Sequence, residues 1–170
     1  MAGTGRRSYV QREGRLVTEW VTGQFPAAHV AYRVRLGAID ASLADSQLTE
    51  RELRAIGIIR RYVDALVITA RDVHLVEGKI LEPTRAIVQL DLYERLFPLT
   101  PGYEAQRTFP IVKHLVWVIP DPVVEQLAHE RGILVHAFHP AWVDAYLAEV
   151  RPNERTATHP AGLLPFPGGT

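Results

Sequence analysis

The chain contains no cysteine. Disulfides, thiolate zinc sites and iron–sulfur clusters are therefore excluded, and a reducing interior is allowed without being required. Long apolar runs are missing as well. No stretch approaches the roughly 18 residues that a spanning helix needs, so no membrane contact is expected. The N-terminal stretch MAGTGRRSYV has arginines but no apolar segment behind them, which does not fit a secretory signal. The chain also lacks net charge, with 19 basic residues against 19 acidic ones. Proteins that coat nucleic acid non-specifically need a large positive surplus, and this chain has none. Asparagine and methionine occur once each, and lysine twice beside seventeen arginines. Together with twelve prolines, that usage suits a GC-rich or thermophilic source.

What is present is ordinary for a globular domain. Of 170 residues, 47% are hydrophobic and 22% charged, enough for one core without staples. Residues 1–150 are expected to form that single domain. Residues 151–170, RPNERTATHPAGLLPFPGGT, hold four prolines and three glycines and cannot build a core of their own. This tail is expected to be held by a protein partner through Leu163, Leu164 and Phe166. Arginines group at 6, 7, 12 and 15, at 33 and 35, and at 51, 54, 60 and 61. They form either local basic patches or a solvated surface.

Periodicity predicts an α/β fold. Residues 8–22 read as an amphipathic helix with Val10, Leu16, Val17, Trp20 and Val21 on one side, ended by Gly23 and Pro26. Residues 28–39 alternate as a strand, with Val30, Tyr32, Val34 and Leu36 opposite Arg33 and Arg35. Thr49 and Glu52 have capping-box spacing for a short helix that stops at Gly57. A strand IIRRYVDALVIT, a turn near Arg71-Asp72 and a strand VHLVEGKI follow. Both faces of this pair are apolar, which marks central strands covered on two sides. A helix from Thr84 to Pro98, a loop at 99–109 and a strand at 110–120 come next. Then comes a helix capped by Asp121 and opened by Pro122, a strand at 133–139 and a last helix to Val150. The expected architecture is a mixed central sheet with helices on both faces.

The hairpin carries an anomaly. Asp64, Glu77 and Lys79 interrupt a run of Val, Ile and Leu. With the turn on Arg71-Asp72, Asp64 opposes Lys79 and Leu66 opposes Glu77, and directly opposed residues share a face. Glu77 and Lys79, two apart, share a face as well. All three heads then converge on one side. Two carboxylates brought together in a sheet call for a cation between them. Oxygen ligands without cysteine favour a hard ion, Mg²⁺ or Mn²⁺. Lysine beside them can touch a phosphate, or orient or help deprotonate a water, which arginine cannot do as a base. The plain alternative is an Asp64–Lys79 salt bridge that only holds the hairpin. On the next helix Gln89 and Tyr93, spaced i, i+4, lie on one face above the same sheet. The seven histidines show no zinc spacing, and His136 and His139 are expected on opposite faces of a strand. Trp117 and Trp142 read as core residues.

Asp64, then Glu77-Gly78-Lys79, then Gln89-x-x-x-Tyr93 resembles the PD-(D/E)XK nuclease superfamily, and most closely its RecB-like branch with the Q-x-x-x-Y motif. The resemblance covers roughly residues 10–120. It implies a restriction-endonuclease-like core of helix, strand, hairpin, helix and strand, and metal-dependent hydrolysis of DNA phosphodiesters. In this likeness Asp64 and Glu77 hold the metal with the Gly78 carbonyl, Lys79 positions the water or stabilises the pentavalent phosphorus, and Gln89 and Tyr93 orient Lys79 or the DNA. The family's first-helix acid is Glu13, with Glu19 as the alternative. Val63 stands where a proline often precedes the aspartate. A second reading uses the same fold as an interaction module in a larger assembly, such as a phage particle or a mobile-element complex. The corresponding locations are the cytoplasm or a virion.

Overall fold

The computed structural model describes residues 4–37 and 62–150. The expected helix at 49–57 and the tail from residue 151 lie outside the described residues, as does the side chain of Val10. Helix α1 is Thr4–Gln24, four residues longer at its start than the periodicity suggested. It buries Leu16, Val17, Trp20 and Val21, and Phe25 N–H closes its end by donating to the Val21 carbonyl. The sheet strands are β1 (His29–Arg35), β2 (Tyr62–Ile68), β3 (Val73–Lys79), β4 (Ile111–Trp117) and β5 (Ile133–Ala137). They lie in the order β1-β2-β3-β4-β5. The first three pair antiparallel, and β3–β4 and β4–β5 pair parallel. Helix α2 (Thr84–Leu96) makes the β3–β4 crossover, and α3 (Pro122–Glu130) makes the next. Parallel neighbours need such crossovers, whereas β2 and β3 are joined by a tight turn. Asp121 caps α3 as expected, its side chain accepting from the Val123 and Val124 amides.

The chain divides into two compact units, residues 1–139 and 140–170. The described part of the second contains α4, Trp142–Val150. Four α-helices and a five-stranded mixed sheet make the described residues an α/β structure. Among the described residues no helix is long and apolar enough to cross a membrane.

Two corrections concern strand register and exposure. The β2–β3 turn is centred on Ala70-Arg71, one residue earlier than expected. Thr69 fixes it: its N–H donates to the Asp72 carbonyl at 3.0 Å, and its Oγ1 accepts from the Asp72 amide at 3.0 Å. Leu66 therefore pairs with Leu75 and Ala65 with Val76, so Asp64 is level with Glu77 rather than Lys79. The slip is two residues, and a strand repeats its facing every two, so the predicted common face survives. Tyr32, on the side of β1 shared with Val30 and Val34, is 44% exposed, because β1 is the edge strand. Arg33 beside it has φ of 54°, an unusual backbone for a residue with a side chain.

Each face of the sheet has its own cover. Leu75, Leu115 and Trp117 pack with Ala86, Ile87, Leu90 and Tyr93 of α2 and Val124 and Ala128 of α3. Lys113 anchors this side: it is buried, and donates to Asp91 at 2.9 Å and Glu94 at 2.8 Å on α2. The opposite face carries α1. There Gly78 lets the helix approach so closely that a Cβ would stand 2.5 Å from Val17 Cγ2.

Candidate active site

The hairpin and the two helices over it bring six side chains together where β3 ends. Asp64 lies on β2, and its Oδ2 accepts from the Gly78 amide at 3.1 Å. Glu77, 2% exposed, accepts Lys79 Nζ on Oε2 at 3.0 Å. Lys79 also donates to the Gly78 carbonyl at 3.0 Å. From the other face Glu13 of α1 reaches round the strand end. Its Oε2 stands 3.8 Å from Lys79 Nζ and its Oε1 accepts from the Ile80 amide at 3.4 Å. Glu19 instead pairs with Arg15 at 2.7 Å, four residues along the same helix. Of the two first-helix acids, Glu13 is therefore the one beside the cluster.

Helix α2 closes the other side. Gln89 Nε2 donates to the Tyr93 hydroxyl at 3.2 Å, and that hydroxyl donates to the Tyr62 carbonyl at 2.9 Å. The i, i+4 spacing thus becomes a direct bond, and the pair ties α2 to the strand that carries Asp64. Tyr93 is buried. Burial, followed by the field of Glu77, pushes its hydroxyl well above the usual range for tyrosine.

The electrostatics are set by three acids around one ammonium. Burial, with the Asp64 carboxylate adding to it, holds Glu77 well above the usual carboxylate range, although Lys79 opposes the shift. For Lys79 burial favours the neutral amine, but Glu77, Glu13 and Asp64 together outweigh it and raise the pKa. The lysine is thereby held as an ammonium. In this arrangement it is a donor and a charge, not a proton acceptor.

One buried oxygen is left over. Glu77 Oε1 meets no nitrogen donor, and neither does Gln89 Oε1; a carboxyl–carboxylate contact with Asp64 also helps to raise Glu77. A buried carboxylate oxygen without a donor is costly. Among the described residues no three His, Asp or Glu side chains converge as a ready-made ion site. The donor set nevertheless fits a hard divalent cation. It is made of oxygen only, its two carboxylates repel each other, and its deepest oxygen meets no nitrogen donor.

Two clusters escaped the sequence reading. The first joins Lys113, Asp91 and Glu94 with Arg131, which donates to Asp91 at 2.6 Å. The second runs across the α1 face of the sheet: His74 on β3, His114 on β4 and His136 on β5. His74 Nδ1 is 2.9 Å from His114 Nε2, and His114 Nδ1 is 3.0 Å from His136 Nε2. Each histidine stands alone in its own strand, so sequence spacing gave no signal. Their even positions on neighbouring strands could have revealed them only once the β3–β4 and β4–β5 registers were known. No family model matches the chain, and no curated protein matches it in sequence.

Proposed function

We propose that the chain is a metal-dependent nuclease on a restriction-endonuclease-like core, of the PD-(D/E)XK kind. The observation that carries this reading is the buried Glu77 beside Asp64 on one face, a carboxyl pair in which burial and then mutual repulsion raise Glu77 and in which Glu77 Oε1 meets no nitrogen donor. The element order helix, strand, hairpin, helix, strand supports the fold assignment, since it matches that core from α1 to β4. Asp64 and Glu77, with the Gly78 carbonyl at the strand end, are the residues that would hold Mg²⁺ or Mn²⁺. Such an ion, when bound, polarises a phosphate and acidifies a water.

The remaining roles belong to the protein. Lys79, kept charged by its acids, offers a donor for a non-bridging phosphate oxygen or a water. Glu13 steadies that ammonium and pins α1 against Ile80. Tyr93 and Gln89 tie α2 to β2 beside the cluster, and Gln89 Oε1 is left as a buried acceptor without a donor. Gly78 has no side chain, so α1 can come close enough to place Glu13.

Incubation of the purified chain with linear, circular and branched DNA, with and without Mg²⁺ or Mn²⁺, tests the reading. Cleavage that requires the metal and is lost in Glu77→Gln supports it. Absence of cleavage on all three substrates with either ion refutes it. The second reading, a structural module in a larger assembly, draws on the Glu13–Lys79–Glu77 cluster itself, which clamps α1 to the sheet in the manner of a structural ion cluster. Under that reading divalent ions leave the thermal midpoint unchanged.

A further inference from the structure

The three histidines on the α1 face form a continuous ladder. His74 and His114 rings are 5.2 Å apart, and His114 and His136 rings are 5.2 Å apart and stacked. The ladder is capped by the end of α1. Trp20 lies 4.6 Å from the His136 ring and 5.5 Å from His114, and Phe25 lies 4.7 Å from His74. Trp20 and Phe25 also touch each other edge to face. Trp20 and Phe25, which flank the last turn of α1, therefore rest on imidazoles.

We propose that the His74–His114–His136 ladder is an acid-released clasp for the Trp20–Phe25 end of α1, which holds one excess proton and opens on the second. The argument is a count of hydrogens. Each N···N contact needs one hydrogen between the rings, and a neutral imidazole has one donor and one acceptor nitrogen. Neutral, the ladder has three N–H groups: two fill the contacts and one points outward at an end. One added proton gives a fourth, which fills the other outer nitrogen and leaves both contacts intact. A fifth hydrogen has no free place. It must enter a contact that already holds one, and two N–H groups then face each other. That contact breaks, and the ring packing under Trp20 and Phe25 breaks with it.

The surroundings agree with this order of events. Burial lowers the basicity of His74 and His136, with Asp72 on the β2–β3 turn partly restoring that of His74. His114 falls furthest, to about 3, through burial and then the two neighbouring imidazoles. The groups that α1 places over the ladder, Trp20 and Phe25, do not titrate. The β4 and β5 neighbours Val112, Val116 and Leu134 are neutral, as is Val67 opposite His74 on β2. Among the described residues, Asp72 and the neighbouring rings are the charges that shift His74 and His114. A released segment returns all three imidazoles to water, where they take up protons near neutrality. The closed ladder holds at most one. Opening therefore takes up about two more protons, and the open-to-closed ratio rises about a hundredfold per pH unit on the acid limb. This inference does not depend on the nuclease reading.

The test is amide hydrogen exchange on the full chain from pH 7.5 to 4.5, corrected for intrinsic rates, with ¹⁵N shifts of the imidazoles followed in parallel. In the wild type, protection of the Val21–Phe25 amides should fall by about a hundredfold per pH unit on the acid limb, at a pH where β3 and β4 stay protected. The combined His74→Phe, His114→Phe and His136→Phe variant should show flat protection over the same range. Should that variant not fold, the wild-type shifts decide alone. Uptake of one proton with the tautomer pattern intact, and of the next together with loss of the Trp20 ring-current shift on His136, supports the clasp. Three rings titrating independently near neutral pH with no loss of protection would overturn it. So would simultaneous loss of protection across α1, β3 and β4.

Discussion

Gly78→Ala is the most discriminating single change in this molecule. General propensity favours alanine, because glycine inside a strand is destabilising by roughly 0.5–1 kcal/mol relative to alanine. The packing says the opposite. A Cβ at position 78 would stand 2.5 Å from Val17 Cγ2 and 3.2 Å from the Glu13 carbonyl oxygen. Val17 is fully buried, and valine in a helix is nearly confined to one χ1 rotamer, so Cγ2 cannot swing away cheaply. The Glu13 oxygen is backbone and moves only with the helix. Helix α1 must therefore back off by close to 1 Å, and overpacking of this kind costs on the order of 1–3 kcal/mol. Urea denaturation followed by circular dichroism reads the change directly. With a slope of roughly 2 kcal/mol per molar, the midpoint should fall by about 0.5–1.5 M. Val17→Ala alone should cost about 2 kcal/mol. The double variant Gly78→Ala/Val17→Ala should be less damaged than the two singles combined, with a coupling of about 1 kcal/mol or more. Rescue stays partial, because the Glu13 carbonyl is still close. A Gly78→Ala protein as stable as the wild type, or additivity with Val17→Ala, would refute the close-approach argument.

Other outcomes follow from the same contacts. Glu77 has a folded-state pKa raised by burial and by Asp64, so its contribution to stability is full below the ordinary carboxylate range and is lost as pH rises through the folded value. Glu77→Gln should accordingly raise the thermal midpoint at pH 8 in EDTA, and should remove any stabilisation by Mg²⁺ or Mn²⁺ seen in the wild type; a lower midpoint in EDTA would contradict the assignment. Lys79→Ala and Lys79→Arg should each reduce metal-dependent cleavage on the order of a hundredfold or more, since a planar guanidinium does not fit between Glu77 Oε2 and the Gly78 carbonyl. Full cleavage by Lys79→Arg would leave the lysine with a structural role only. Tyr93→Phe should cost about 1–2 kcal/mol in chemical denaturation, because it strips the Tyr62 carbonyl of its donor and Gln89 of its acceptor; an unchanged midpoint would argue against both bonds.

The parts of the fold that were readable in the sequence are those governed by local rules. Asp121-Pro122 opened a helix because a side-chain acceptor and a missing N–H are both local features. The common face of Asp64, Glu77 and Lys79 was legible because strand facing repeats every two residues and survives a slip of two. The pairing partner of Asp64 was not, because Thr69 Oγ1 pulls the turn one residue earlier, a bond that depends on one hydroxyl. Glu13 and Glu19 are both acids on one helix. Only the position of α1 over Gly78 separates them, and that position is tertiary. The imidazole ladder was hidden for the same reason: its three members are 40 and 22 residues apart and meet only through sheet order. Trp117 was expected in the core and is 2% exposed. The exposure of Tyr32 was not legible, because alternation does not reveal which strand has no neighbour.

Both lysines of the chain are buried, Lys79 at 8% exposure and Lys113 at 6%. Each is also engaged by carboxylates, and both ammonium groups are held more strongly protonated than usual. The folded chain therefore shields both of its lysine amines from acylating reagents. An acyl group added to either lysine of the folded protein would time a local opening, with the Lys79 adduct reporting on the strand end and the Lys113 adduct on the seat of α2.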